Sequence, residues 1–315
     1  MTDRRQQLDA AAIALMVILC ACWGFNQVAI KLANAGISPV LQAGLRSAGS
    51  ALLVWAWSAR RGVRLFGRDG TLGWGVLIGV LFAGEFVFLY WSLVLTSASR
   101  AVLFIYMSPF VVALGAHFLI PGERLRWVQA VGLVCAFAGM ALAFGDALRF
   151  PTYRQLLGDA MAFVAAILWG ATTVAIKASR LATASPHKNL FYQLGVSALL
   201  LPVISWAIGE PGIVAPTPLV LGMLAYQIIV VAFASYLTWF WLISRYPAGR
   251  LSSFSFLTPL FGLLAGALIL GEPVTWALAL ALLLVALGIA LVNRAPPAPE
   301  TNAGARPLAA KAGQS

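Results

Sequence analysis

Glu85 is the only charged residue in the apolar run from Thr71 to Leu95. A charged side chain at the centre of a bilayer costs about 3 kcal/mol on insertion scales, so it is retained where it has work to do. Three kinds of work are open to it. It can bind a substrate ammonium, take up and release a proton, or form a structural ion pair with Arg46, which lies in a neighbouring apolar run. Two repeated strings supply further chemistry: WGFNQVAIK from Trp23 to Lys31 and WGATTVAIK from Trp169 to Lys177. Residues at i, i+3 and i+4 share a helix face, which groups Trp23 with Asn26 and Gln27, and Trp169 with Thr172 and Thr173. Each face sets an aromatic wall beside hydrogen-bonding groups, fit for a cavity or for close helix packing beside Gly24 and Gly170. Lys31 and Lys177 end the strings near opposite membrane faces, where a lysine either snorkels to headgroups or serves a gate or ion pair.

A second repeat runs through both halves. Trp91, Ala98, Arg100, Phe104 and Pro109 recur as Trp241, Ala248, Arg250, Phe254 and Pro259, and Gly122-Glu123 recurs as Gly271-Glu272. Pro109 and Pro259 follow Ser108 and Thr258 inside apolar runs, where a proline frees a carbonyl and kinks the helix, making matched hinges. Tyr106 and Ser108 in one half, and Ser252, Ser253, Ser255 and Phe256 in the other, are candidates to line a pathway. Glu123 and Glu272 are expected to stabilise the N-terminus of the helix that follows each, and Asp159 that of its own.

Ten apolar spans must position these residues: Ala10 to Ala33, Pro39 to Ala59, Thr71 to Leu95, Ala98 to Ile120, Leu125 to Phe144, Leu156 to Ala178, Asn189 to Ile208, Thr217 to Ile243, Leu251 to Leu270 and Val274 to Val292. Short loops keep Lys and Arg preferentially in the cytoplasm. With the amino terminus inside, fifteen of the 21 fall on that side, four (Lys31, Arg100, Arg149 and Arg154) on the other, and Arg46 and Lys177 within spans. Both termini are therefore predicted to be cytoplasmic. Five spans per half is an odd number, so the second half enters the membrane inverted, an arrangement suited to alternating access. The expected organisation is a cytoplasmic segment 1–9, a first five-helix repeat 10–145, a linker 146–155, a second repeat 156–293 and a disordered cytoplasmic tail 294–315.

Composition agrees with an all-α polytopic membrane protein: 61% of the residues are hydrophobic and 10% charged, against roughly a quarter charged in soluble domains. The net charge of +11 sits in short loops beside apolar runs, which assigns it to topology and lipid headgroups and leaves no nucleic-acid partner. Cys20, Cys22 and Cys135 lie in apolar runs without CxxC spacing and read as packing residues. No catalytic motif and no metal-ligand cluster is present, so neither an enzyme nor a cofactor is expected. A passive channel would need a ring of charges that the spans lack.

The paired WGxxxxxxK strings, Arg46 in the second span, the paired prolines and the paired Gly-Glu ends resemble the EamA-type members of the drug/metabolite transporter superfamily, and most of all bacterial exporters of aromatic amino acids. The likeness covers about Ala10 to Val292. It implies a ten-helix carrier of the bacterial inner membrane, acting as a monomer, with a central cavity faced by Trp23, Glu85, Tyr106 and Trp169, that moves amino acids and related metabolites outward.

Overall fold

The computed structural model describes residues 7–67, 69–145, 150–270 and 276–294. Glu272, Arg149 and most of the expected tail lie outside the described residues. Before Gly145 the chain forms α1 (Ala10–Ala33), α2 (Pro39–Arg60), α3 (Leu72–Leu95), α4 (Ala98–Ile105), α5 (Ser108–Leu119) and α6 (Trp127–Ala143). After it come α7 (Tyr153–Ala178), α8 (Pro186–Ala207), α9 (Pro218–Tyr226), α10 (Tyr236–Arg245), α11 (Ala248–Ser253), α12 (Leu257–Leu270) and α13 (Trp276–Asn293). Among the described residues there is no β-strand, only one isolated bridge between Ile37 and Ile213.

The helices start where side chains can satisfy their free N–H groups. The Asp9 carboxylate accepts from the Ala12 amide at 2.8 Å, Thr152 and Gln155 cap α7 reciprocally, and Ser185 and Thr217 accept from the Lys188 and Val220 amides. Pro39, Pro186 and Pro218 occupy first helical positions, where a missing N–H is harmless.

Three expected spans are not simple α-helices. Ala98 to Ile120 divides at Tyr106 and Met107, and Leu251 to Leu270 contains a 3₁₀ turn at Phe254–Phe256. Pro109 and Pro259 therefore sit in the first turns of α5 and α12 instead of kinking a continuous helix. Their rings exclude the preceding helical hydrogen bond, so the regular ladder stops upstream of them. The run from Pro218 to Arg245 is continuous, but its middle, Gln227–Ser235, is π-helical, without a Pro or Gly to mark it.

Among the described residues, six helical stretches are long and apolar enough to cross a membrane: Ala10–Ala33, Leu72–Leu95, Arg100–Leu119, Tyr153–Ala178, Pro186–Ala207 and Pro218–Arg245. The 22-residue α2 is less apolar because it buries Gln42, Arg46, Ser47, Ser50 and Ser58.

The main helix contacts cross between the parts of the chain before and after Gly145: α6 packs on α13, α3 on α7 and α8, α2 on α8, α1 on α12 and α9, and α5 on α7 and α11. Small residues make the approaches close, as lipid-embedded helices require. A Cβ on Gly24 would lie 2.7 Å from the Gly262 nitrogen, and one on Gly288 would lie 2.5 Å from both the Ala136 nitrogen and the Gly132 oxygen. Polar ties fasten the ends. The Glu210 carboxylate accepts from the Val40 and Leu41 amides at 3.0 Å, capping α2. Lys188 Nζ donates to Asp69 at 2.5 Å, and this bond, with that from Thr71, holds the Asp69 carboxyl well below the usual carboxylate range. A depressed pKa contributes stability above the unfolded value, so this tie persists throughout neutral pH.

Gly288→Val should push α13 off α6 and lower the thermal unfolding midpoint in detergent, an overpacking cost of about 1–3 kcal/mol. Gly195→Ala, where an added Cβ meets open space, should leave the midpoint within about 1 °C or raise it. Scanning fluorimetry of the two variants checks this.

Candidate functional site

A cavity of about 560 Å³ lies among α1, α3, α4, α7, α10 and α12. Trp23, Asn26, Gln27, Lys31, Arg46, Glu85, Tyr106, Trp169, Thr172, Thr173 and Pro259 all line it. Three other candidates do not. Ser108 is buried with its carbonyl facing Gly170 of α7, Pro109 is buried beside it, and Lys177 lies one residue beyond the last α7 residue of the wall, Ile176. Ser252, Ser253, Ser255 and Phe256 are likewise buried away from the cavity, and Phe256 packs edge-on with Phe110 at 6.1 Å.

The wall is a chain of edge-to-face rings. Trp23 meets Trp239 at 5.9 Å and Tyr236 at 6.3 Å, Phe82 meets Phe86 at 5.0 Å, and Tyr106 meets Trp169 at 5.7 Å. The Trp23 indole donates to the Ser235 hydroxyl at 2.8 Å, which fixes the ring. Ser235 is the repeat counterpart of Glu85, so one half contributes a carboxylate where the other contributes a hydroxyl. Thr172 donates its hydroxyl to the Leu168 carbonyl and keeps only lone pairs for a guest. Arg46 and Glu85 form no ion pair with each other; the guanidinium lies over the Phe86 ring at 4.5 Å. The ion pair with Arg46, the structural alternative for Glu85, is not formed.

The two ends of the cavity differ. At one end the wall includes the exposed Lys31, Asn34 and Leu93. At the other, Lys177 is buried, forms an ion pair with Glu123 and donates to the Tyr246 carbonyl at 2.6 Å. Glu123 also accepts from the Ala248 amide at 2.6 Å, so it caps α11 and not the helix that follows it in sequence. Tyr246 in turn donates to Asp9 at 2.9 Å. Asp159, expected at a helix start, lies in the second turn of α7, paired with Arg100 and accepting from the Thr96 hydroxyl at 2.9 Å. No group of three or more potential metal ligands occurs among the described residues.

Residues 10–145 and 156–294 match the profile of the EamA-like transporter family. The chain belongs to this family. It is thus a multi-pass membrane transporter of the drug/metabolite transporter superfamily. Similar curated proteins include a transporter of Bacillus subtilis, YoaV (24% identical, covering 85% of this chain and 91% of that one), and a transporter of Archaeoglobus fulgidus (28%, covering 89% and 98%). A protein of Escherichia coli described as a probable amino-acid metabolite efflux pump is 26% identical over 84% of this chain and 87% of its own. Among solved structures, a crystal structure with 24% identity superposes with a TM-score of 0.79, covering 90% of this chain and 96% of the other, which shows a shared fold.

Phe82, Phe86, Tyr236 and Trp239 complete the transporter's cavity wall and were not singled out by the sequence. A signal for them existed: Phe82 precedes Glu85 by three residues, and Tyr236 is the repeat counterpart of Phe86. The partners of Asp159 had no local signal, since Arg100 is 59 residues away.

Asp159→Asn should remove the carboxylate that the buried Arg100 pairs with and destabilise the transporter by about 3–5 kcal/mol, whereas replacing both residues by apolar ones of similar volume should recover most of the loss. Thermal unfolding of the two variants in the same detergent measures the difference.

Proposed function

We propose that this transporter exports amino acids, aromatic and other apolar ones, and related small metabolites across the bacterial inner membrane by alternating access. The observation that carries the reading is the aromatic-walled cavity with a carboxylate inside it, reaching exposed residues at the Lys31 end and stopping at buried ion pairs at the other. Aromatic rings suit apolar or aromatic side chains, and Glu85 suits an ammonium. The name of the Escherichia coli relative adds support.

Ten spans follow if α4 with α5, α9 with α10, and α11 with α12 each cross once. Exchanging the halves maps the main contacts onto themselves: α1 on α12 becomes α7 on α5, α3 on α7 becomes the α9–α10 span on α1, and α2 on α8 and α6 on α13 each map to themselves. This pairing, with the repeated strings, supports two inverted five-helix repeats over 10–145 and 156–293. The charge distribution supports cytoplasmic termini, which puts the Lys31 end outside. Lys177 and Lys31 then hold matching positions at opposite ends, one paired and buried, one exposed. Lys177, Glu123 and the start of α11 form the inner gate, and the breaks ahead of Pro109 and Pro259 are the hinges. A single chain encloses the cavity, which fits a monomer.

A second reading has its own support, because an unpaired carboxylate among rings also suits a lipophilic cation. Proteoliposome uptake of labelled tryptophan, phenylalanine, methionine and threonine, with and without a pH gradient, separates the two. Saturable flux of tryptophan and phenylalanine, reduced at least tenfold in Glu85→Gln, is expected. Flux of none of the four amino acids, alongside uptake of tetraphenylphosphonium, would establish the cation reading instead. Breaking the inner gate with Glu123→Gln should raise by several-fold the rate at which a maleimide modifies a cysteine placed at Ile176, in inverted vesicles of a protein otherwise free of cysteine.

A further inference from the structure

Two ionisable side chains of opposite sign are buried in the wall of the cavity, and neither has a polar partner. Arg46 is 2% exposed and its Nε and Nη2 are out of contact with any acceptor. Glu85 is 9% exposed and its Oε2 meets no donor. Each could have relieved the other, yet no ion pair forms, because the guanidinium is stacked on Phe86 and the carboxylate leaves α3 from the preceding position, about 100° around the helix. Lys31, the other cation in the wall, is exposed at the mouth. A guanidinium and a carboxylate near each other but out of hydrogen-bonding contact recover only part of the desolvation cost of burying them.

We infer that Arg46 and Glu85 together form the headgroup site for a zwitterion, with Arg46 taking the carboxylate and Glu85 the ammonium of a free α-amino acid. The inference rests on the amino acid reading above and assigns the half of the substrate that reading left without a partner. An amine alone would satisfy Glu85 and leave Arg46 unmatched. A carboxylic acid alone would do the reverse. A guanidinium presents paired N–H donors in the planar geometry that a carboxylate accepts, and stacking on Phe86 restrains it before the guest arrives. A zwitterion keeps the occupied site near neutrality, which a low-dielectric cavity demands. The rings of Trp169, Tyr106 and Phe82 remain for the side chain, and 560 Å³ falls in the range of sites for single small molecules.

Calorimetric titration of the purified full chain in nanodiscs with tryptophan, tryptamine and 3-indolepropionate tests this, since the last two each delete one charge. In the wild type, tryptophan should bind at least tenfold more tightly than either. Arg46→Gln should weaken tryptophan and 3-indolepropionate at least tenfold while tryptamine changes less than twofold, and Glu85→Gln should weaken tryptophan and tryptamine while sparing 3-indolepropionate. Equal weakening of tryptophan and tryptamine by Arg46→Gln would make Arg46 a packing residue and overturn the assignment, leaving the amino acid reading intact. Absence of tryptophan binding to the wild type would remove the amino acid reading itself. If Arg46→Gln does not yield a monodisperse protein, Arg46→Lys decides: loss of the planar fork should narrow the preference for tryptophan over tryptamine at least threefold, and an unchanged ratio counts against the assignment.

Discussion

Charge withdrawn from water is the constraint on which the rest of this structure depends. In a low-dielectric interior an ionised group is tolerated when an opposite charge and hydrogen bonds meet it, and is costly otherwise. Arg100 meets Asp159 and Lys177 meets Glu123 inside the protein, and the buried Lys188 reaches Asp69 at the surface. Glu210 takes the free amides at the start of α2, and Glu123 the one at the start of α11. Every one of these ties joins a residue before Gly145 to one after it. Satisfying the charges and docking the two parts of the chain are consequently a single event.

Packing acts by a different rule. Apolar side chains gain little from leaving lipid for protein, so association relies on close contact, and glycines provide it where α6 crosses α13 and α1 crosses α12. These contacts are non-directional along a helix face, whereas the Lys177 and Glu123 cluster is local to one end. The proposed alternating access would use that division: broad surfaces that can pivot, and concentrated polar ties that can be made or broken at the rims. The interruptions at Tyr106–Met107 and Phe254–Phe256 break the regular helical ladder within the protein, the first of them in the cavity wall, where freed carbonyls can still find neighbours.

Arg46 and Glu85 are the exception within the wall. Left unpaired, they weaken the empty fold, and the same lack of partners makes the site responsive to a guest bearing both charges. The aromatic rings around them lower the local dielectric, which raises the cost of the empty site and the gain on filling it together.

Helix positions were legible in the sequence because capping and hydropathy belong to contiguous residues: α1 runs from Ala10 to Ala33 as read, and Trp23, Glu85, Tyr106 and Trp169 reach one cavity because helical spacing and the repeats place them at similar depth. Where the reading failed, the deciding partner was remote. Glu123 caps a helix 125 residues away, Ser108 turns into the α7 contact, and the π-helical stretch at Gln227–Ser235 lies between residues that favour ordinary helix. The sequence by itself determined where the apolar helices lie, that two related halves exist, and that aromatic and charged groups share one cavity. Only the tertiary structure decided which charges neutralise one another and which two face the cavity alone, because that depends on how each helix is rotated about its axis against neighbours distant in the chain.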